Sequence, residues 1–418
     1  AAIALVLFDA AYLGGYSTVF LPLSIATVML SALGAVALRA APEDLRRAAA
    51  GAIVLAVLVS IVRLAVFLHP AAPTSDGMFH VHRAQEVRGG TYLFTSVTPR
   101  PFYEFPYPIG LYVAAQPFWT HVDDRVALLR GITIAVDGLV AMALFAAAAT
   151  RRRSPLTGLI AAALALAVPV VEQSISTANL TNVFGQSLFS LAVLWIGWQL
   201  RSRRAAIAAA AAVLVLTAAY LSHFSTAVIG VPAALLIAAA TALARDERDA
   251  RAWRWIALAV TAALVLSYAL YYSHFHEVYA RTLARVGTEG ASNSFVATLA
   301  QHSESKAVTM LRFVVVNYGS GALLLAAIGL VVALRDWRDG WTLQLLAFTA
   351  VVLFFLLGAF TPIEMRAALA AHPLVAIFAA LGFVWLWESG RTPYRVAAIA
   401  CVAAAVWSGL ASLRAVLG

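Results

Sequence analysis

The sequence holds one cysteine, Cys401, and one lysine, Lys306, in 418 residues. A single thiol makes no disulfide within the chain and no cysteine-based metal centre. Charge is scarce too: Asp, Glu, Lys and Arg make up 12% of the residues, against 62% apolar ones. A soluble domain has no interior large enough to hide that much apolar surface, but a polytopic helical membrane protein does not need one. A Walker-type lysine loop and a G-x-S-x-G elbow are both missing, which leaves the common nucleotide and serine-hydrolase mechanisms without their residues. The net charge of +9 is carried almost wholly by arginine. Those arginines sit in short clusters between apolar runs rather than on a basic soluble face. That argues against nucleic acid as a partner and for orientation in a membrane beside anionic lipid.

The rest of the chain is apolar runs of about 17–25 residues, each long enough to cross hydrocarbon as a helix. They fall at 20–39, 50–68, 126–149, 155–171, 184–200, 205–221, 225–244, 253–273, 315–334, 342–360, 367–387 and 394–416. The expected fold is therefore an all-α polytopic membrane protein with about twelve transmembrane helices in a single domain over 1–418, and no strands. Residues 1–14 read as the remaining end of an N-terminal helix. Arginine clusters at 39–47, 151–155, 201–204, 245–254, 335–340 and 388–395 share one side, which the positive-inside rule makes cytoplasmic. Two long segments, 69–125 and 274–314, then lie on the extracytoplasmic side of the cytoplasmic membrane.

The first of these opens with "TSDGMFHVHRAQEVRGG" (74–90), which gathers Asp76, His80, His82, Arg83, Glu86 and Arg88. On a helix starting near Ser75, Asp76 and His80 share a face with Arg83 close to the stripe, while His82 points elsewhere. Asp76 is either a helix cap or a general base for a hydroxyl acceptor. Asp76 with His80 and His82 is also a conceivable divalent-cation set, though D-x-x-x-H-x-H has no strong fixed-spacing signature. The segment goes on with "AQEVRGG", a helix ending at glycines, and "FPYPIGLYVAAQPFW", a proline-set turn and a short interfacial helix. Its many aromatics suit the membrane–water boundary.

Other polar groups gather on the same side. Glu172 ends a span, where it is either solvated at the rim or part of a site. Asn179-Leu180-Thr181 matches a glycosylation sequon, which carries no weight in a bacterial protein. Tyr220 and His223 mark a sharp turn, so His223 is a boundary histidine or a pocket wall. Arg366 is an outer-side arginine that needs Glu364 or a lipid phosphate to hold it, and Arg312 is a second of the same kind. Arg63 lies inside a span and needs a structural partner such as Asp9 or Asp137. His274-x-His276-Glu277 does not match the H-E-x-x-H metalloprotease motif. The stretch after it has loop composition and reads as a lid over a pocket or a solvated loop. "DDRVALLRG" (123–131) caps a helix.

Three features in one chain carry a resemblance: an acid directly after an early span in "SDGMFHVHRA", a closing "EFPYPIGLYVAAQPF", and a late outer arginine in "IEMRAALAAHPLVAIFAALG". Over roughly residues 50–390 the sequence resembles the GT-C superfamily of integral-membrane glycosyltransferases, in particular its bacterial members. The resemblance implies inverting sugar transfer from a polyprenyl-phosphate donor, with Asp76 as the catalytic base and Arg366 as the contact to the leaving phosphate. His80, His82, Arg83, Tyr107 of the Tyr-Pro pair, Glu172, His223 and Arg312 are then candidate substrate contacts. Two departures stand out. Gly77 and Met78 follow Asp76 where many relatives carry a paired acid, so a divalent cation, held by Asp76 and His80 if at all, is in doubt. In the family the large loop usually follows the first span, whereas here at least one extra helix precedes it. A soluble C-terminal domain is not expected either, so a partner subunit would supply acceptor specificity. The rivals are a lipid or sugar transporter or flippase, which expects inverted repeats and broken helices at mid-membrane, and a non-catalytic subunit of an envelope complex.

Overall fold

The computed structural model describes residues 43–73, 75–97, 104–199, 205–244, 247–289, 303–356 and 364–417. The expected span at 20–39, Asp9 and most of the expected lid (290–302) lie outside them. A long helix α1 (Glu43–Phe67) leads through a turn into α2 (Gly77–Arg88). Two short strands follow, β1 (Thr95–Val97) and β2 (Glu104–Pro106), then α3 (Gly110–Ala115) and a 3-10 turn over Gln116–Phe118. The helical body continues as α4 (Arg125–Arg152), α5 (Pro155–Ala167), α6 (Val170–Ser176), α7 (Leu180–Gln199), α8 (Ala205–Tyr220), α9 (Phe224–Ala242) and α10 (Glu247–Leu270). After a 3-10 turn at Tyr272–Phe275 come α11 (His276–Glu289), α12 (Ser303–Tyr318), α13 (Ser320–Leu334), α14 (Gly340–Leu356), α15 (Glu364–Glu388) and α16 (Thr392–Val416).

Local chemistry sets the boundaries. Asp124 accepts the Ala127 N–H at 2.9 Å and starts α4, as "DDRVALLRG" implies. Ser154 caps α5 with Pro155 in its first turn. Pro169 holds Val168 in an extended conformation (ψ 136), so the helix is interrupted between α5 and α6, while Pro155–Ser176 still forms one apolar segment long enough to cross, as expected at 155–171. Gly319, at φ +76, lets α12 and α13 meet at a bend of 99°. The apolar run expected as one span at 315–334 is thus the end of one helix and the whole of another.

Seven segments are long and apolar enough to cross a membrane, or eight if the bent pair counts as one, against twelve expected. Three shorter apolar helices lie at Leu180–Leu194, Ala209–Tyr220 and Gly340–Leu356. The chain is a multi-pass helical membrane protein. One expectation fails outright: β1 and β2 form an antiparallel pair with Ser96 opposite Phe105. The strand pair is anchored from outside, because Glu104 accepts from Arg281 (3.1 Å) and its carbonyl from Thr282 Oγ1 (2.7 Å), both on α11.

Small residues let helices touch through their backbones. Gly329 on α13 packs on the Phe378 carbonyl, and Gly382 on α15 packs on the Leu325 carbonyl. A side chain at either position has no room, so the two helices meet backbone to backbone here.

The deepest polar feature is an ion cluster. Arg63 on α1 is fully buried and donates to Asp137 on α4 (2.8 Å) and to Glu172 on α6 (2.6 and 2.9 Å). It also reaches the Leu166 carbonyl at the end of α5 (3.3 Å). Ser187 on α7 donates to the second oxygen of Asp137 at 3.2 Å. Asp137 is the partner that Arg63 needs. Glu172 corrects an expectation: it is not a rim acid or a substrate contact but 1% exposed and spent on Arg63. Breaking such a pair leaves an uncompensated charge, which costs about 3–5 kcal/mol. Arg63→Met is therefore expected to lower the unfolding midpoint in detergent sharply, and an unchanged midpoint would show that the cluster is dispensable.

Candidate functional site

Five connections converge at one end of the bundle: the segment after α1, the α6–α7 turn, the α8–α9 turn, the residues after α10 and the start of α15. Backbone and side-chain bonds tie them together. Gly110 N–H donates to the Leu221 carbonyl at 2.6 Å, and Tyr271 O–H donates to the Tyr107 carbonyl at 2.7 Å. Arg130 on α4 donates to the carbonyls of Phe67 (2.9 Å) and Pro73, fixing the stretch that delivers Asp76.

Asp76 is the N-cap residue of α2, yet its side chain makes no capping hydrogen bond. The carboxylate is exposed, and Ser75 before it holds a left-handed backbone (φ 43). A non-glycine residue in that region stores strain, which proteins tend to keep at functional positions. Asp76 acts electrostatically on His80, one turn along, as the i, i+4 spacing requires.

His80 is buried at 3% exposure. Its Nε2 lies 2.6 Å from the Ala178 carbonyl, which only accepts, so Nε2 carries the hydrogen. Nδ1 then accepts from the Tyr112 hydroxyl at 2.7 Å. Both nitrogens are in use, so His80 as placed here has no lone pair left for a cation. Among the described residues, no three His, Cys, Asp or Glu side chains are grouped to hold a metal. Ala178, like Ser75, has positive φ (56), and this turn aims its carbonyl at His80.

The other candidates divide. The Tyr107 hydroxyl meets Tyr112 and Thr181 Oγ1 (3.2 Å), and its ring stands edge-on to Phe79 and to His223, with centroids at 5.5 and 6.1 Å. His223 is buried at the cap of α9, with Nδ1 against Ser225. Arg366, half-buried near the start of α15, acts electrostatically on both Tyr107 and His223. Arg83 lies over the Phe94 and Phe79 rings (4.6 and 5.4 Å) and pairs with Glu86 at 3.0 Å, so it braces the segment. His82 is exposed on another face of α2. Arg312 is exposed on α12, and no described contact brings it to this cluster. Asp76, His80, Tyr107, His223 and Arg366 are thus gathered, while Glu172, His82 and Arg312 are not.

Tyr112, Thr181, Asn182, Ser225 and Arg130 belong to the same assembly, and none of them stood out as a site residue in the sequence. The sequon match at 179–181 overlaps the segment that holds Thr181, but for a reason unrelated to glycosylation.

No family model and no curated protein matches the sequence. Among solved structures, the oligosaccharyltransferase of Archaeoglobus fulgidus, crystallised in complex with Zn and sulfate, matches over 87% of this chain with a TM-score of 0.58 at 14% identity. The chain has the GT-C fold. It spans about half of that neighbour, 53% of its length. The likeness fixes the architecture that presents Asp76 and leaves the chemistry to the residues.

Burial lowers the pKa of His80 and lowers that of His223 well below the usual value, with Arg366 and His80 adding to the effect at His223. Burial also raises the Tyr107 and Tyr112 phenols, so both remain donors. An unfolded histidine ionises near about 6.5, so below that pH the unfolded chain takes up protons that the folded chain refuses. The contribution of both histidines to stability is complete above about pH 6.5 and falls as the pH drops below it. Melting in detergent between pH 5 and 8 is expected to show that fall, and His223→Gln is expected to make it shallower. A midpoint independent of pH over this range would contradict the burial of both rings. Tyr112→Phe strands His80 Nδ1 without a donor and is expected to destabilise by about 1–3 kcal/mol, measured by the same melting; a loss within error would show that the bond contributes nothing.

Proposed function

We propose that the protein transfers a sugar, with inversion, from a polyprenyl-phosphate donor to a hydroxyl acceptor on the extracytoplasmic side of the cytoplasmic membrane. The observation that carries this reading is a carboxylate, Asp76, left unspent by its own helix at the bundle end that also holds Arg366. The GT-C fold supports it, since the neighbour of that fold is an oligosaccharyltransferase. Asp76 takes the acceptor's proton as the acceptor oxygen attacks the anomeric carbon. The bond from that carbon to the phosphate oxygen breaks on the opposite face, and the electron pair leaves with the polyprenyl phosphate. A fixed cation does most where negative charge develops, so Arg366 stabilises the leaving group. A phosphate leaves without needing a proton, so one carboxylate suffices.

Tyr107 stands edge-on to His223, with ring centroids 6.1 Å apart, and His80, held by Tyr112 and Ala178, fixes the start of α2. The neighbour carries zinc in its crystals. Here the residues around Asp76 do not fit a metal, because both His80 nitrogens are occupied and no described third ligand stands near. No step in this reading passes through one. Membrane lipids surround the apolar helices.

Purified protein in proteoliposomes, given a panel of synthetic polyprenyl-phosphate hexoses, tests the reading by release of polyprenyl phosphate. Asp76→Asn is expected to lower the rate about 10²–10⁴-fold with an unchanged melting midpoint. Wild-type rates in that variant would defeat the assignment, and movement of intact donor across the bilayer would favour the transport reading. Mass spectrometry of lipids that copurify with the protein would name the donor.

A further inference from the structure

The end of the bundle away from Asp76 holds a charged group that packing leaves unsatisfied. α4 starts beside α2, where Gly77 lies against Val126, and its 28 residues carry its last turn about 40 Å away at a rise of about 1.5 Å per residue. Arg151 and Arg152 stand in that turn. Arg152 lies over the Trp341 ring, 5.6 Å from its centroid, yet its Nε and Nη2 are buried and meet no hydrogen-bond acceptor among the described residues. Buried donors on a charged group are costly to leave unmet, so they call for an acceptor from outside the chain. The acid that starts α14 does not supply it: Asp339 is engaged by the N–H and the hydroxyl of Thr342, at 3.0 and 3.1 Å.

A narrow apolar cleft opens beside this turn, with about 520 Å³ of space counting its mouth. Arg151 lines it, and so do Trp341, Gln344, Leu345 and Phe348, which share one face of α14 at i, i+3, i+4 and i+7. That face runs for about 10 Å along the helix. Leu374 and Ile377 of α15 and Ala147, one turn before Arg151, line the other sides. Gln344 adds little polarity, because its amide donates to Thr241 Oγ1 at 3.1 Å. A cleft with such walls suits hydrocarbon better than water, which needs two or more polar partners. Hydrocarbon inside and guanidinium groups at the mouth together describe a lipid whose head is an anion.

We propose that this cleft binds an anionic phospholipid: one acyl chain enters between α4, α14 and α15, and the headgroup phosphate accepts from Arg152, with Arg151 beside it. Charge selects the headgroup. Phosphatidylcholine carries its own cation next to the phosphate and sets it against both arginines, whereas phosphatidylglycerol brings a net negative charge that a guanidinium fork matches. Bound there, the lipid ties the last turn of α4 to α14 and α15. The site is separate from the sugar-transfer reading and does not depend on it.

The purified chain, washed free of lipid in a neutral detergent, is titrated with phosphatidylglycerol, phosphatidylcholine or glycerol 3-phosphate. Binding is read by native mass spectrometry and by the melting midpoint. Wild-type protein is expected to bind phosphatidylglycerol about tenfold or more tightly than either other probe, with a midpoint that rises to saturation. Arg152→Gln is expected to lose the preference for phosphatidylglycerol over phosphatidylcholine. Ala147→Leu puts carbon into the cleft and is expected to weaken phosphatidylglycerol about tenfold while keeping that preference. Arg338→Gln, at an exposed arginine of the same end, is expected to change neither. Equal binding of the two phospholipids by wild-type protein overturns the proposal. Glycerol 3-phosphate that binds as tightly as phosphatidylglycerol marks an ion site without a tail and overturns it too, and these comparisons need no variant. Equal losses in Arg338→Gln and Arg152→Gln mark diffuse surface charge, and an Ala147→Leu protein that binds phosphatidylglycerol like wild type puts the tail elsewhere; either result ends the assignment.

Discussion

The Arg63 guanidinium, buried among apolar helices, binds two carboxylates and a carbonyl that belong to three other helices. A charge in that setting is tolerated only when it is paired and hydrogen-bonded from several directions. Satisfying it therefore fixes α1, α4 and the α5–α6 junction relative to one another. Pro169 makes this possible: by breaking the run after Ala167 it frees the Leu166 carbonyl and turns α6 so that Glu172 faces inward. Two distances that matter at the site depend on this. The stretch after α1 leads to Asp76, and the turn after α6 contains Ala178, whose carbonyl locates His80.

Specific polar bonds then complete what the ion cluster begins. Arg130 ties the end of α1 to α4 through carbonyls that a helix end leaves open. Tyr271 and Tyr272 hold the Tyr107 and Tyr220 carbonyls, each at 2.7 Å, from the far side. The small β1–β2 pair is carried by α11 through Glu104. The described parts of the segment from 69 to 125 are thus bonded to the helical body at both ends and in the middle, and they belong to the scaffold.

Much of this was legible in the residues. The apolar runs marked helices, the Asp76–His80 spacing marked a shared face, and Asp124 marked the start of α4. What escaped were properties that depend on which helix lies next to which. Glu172 looked like a rim acid because it ends an apolar run, yet its nearest charge is Arg63, 109 positions earlier. The run at 315–334 looked continuous because Gly319 is ordinary inside an apolar stretch, and its φ of +76 has no sequence signature. The strands were hidden by their length, three residues each, which leaves no alternation to read. Asn182 and Ser225 carry no charge and match no motif, and the sequon that contains Thr181 says nothing of its role, so only the folded contacts give them meaning.

The same contacts separate architecture from chemistry among residues that looked alike in sequence. Asp76, His80 and Arg83 lie within eight positions and were all candidates for reaction. His80 has given both nitrogens to Tyr112 and Ala178, and Arg83 has given its charge to Glu86 and its plane to Phe94 and Phe79. Neither can take a substrate group without losing a bond that holds α2. Asp76 has made no such commitment, although a capping bond to its own helix was the easiest bond available to it. Ser75 before it holds a left-handed backbone (φ 43), uncommon for a residue with a side chain. That difference in commitment is why the proposed reaction rests on the carboxylate, rather than on the imidazole or the guanidinium beside it.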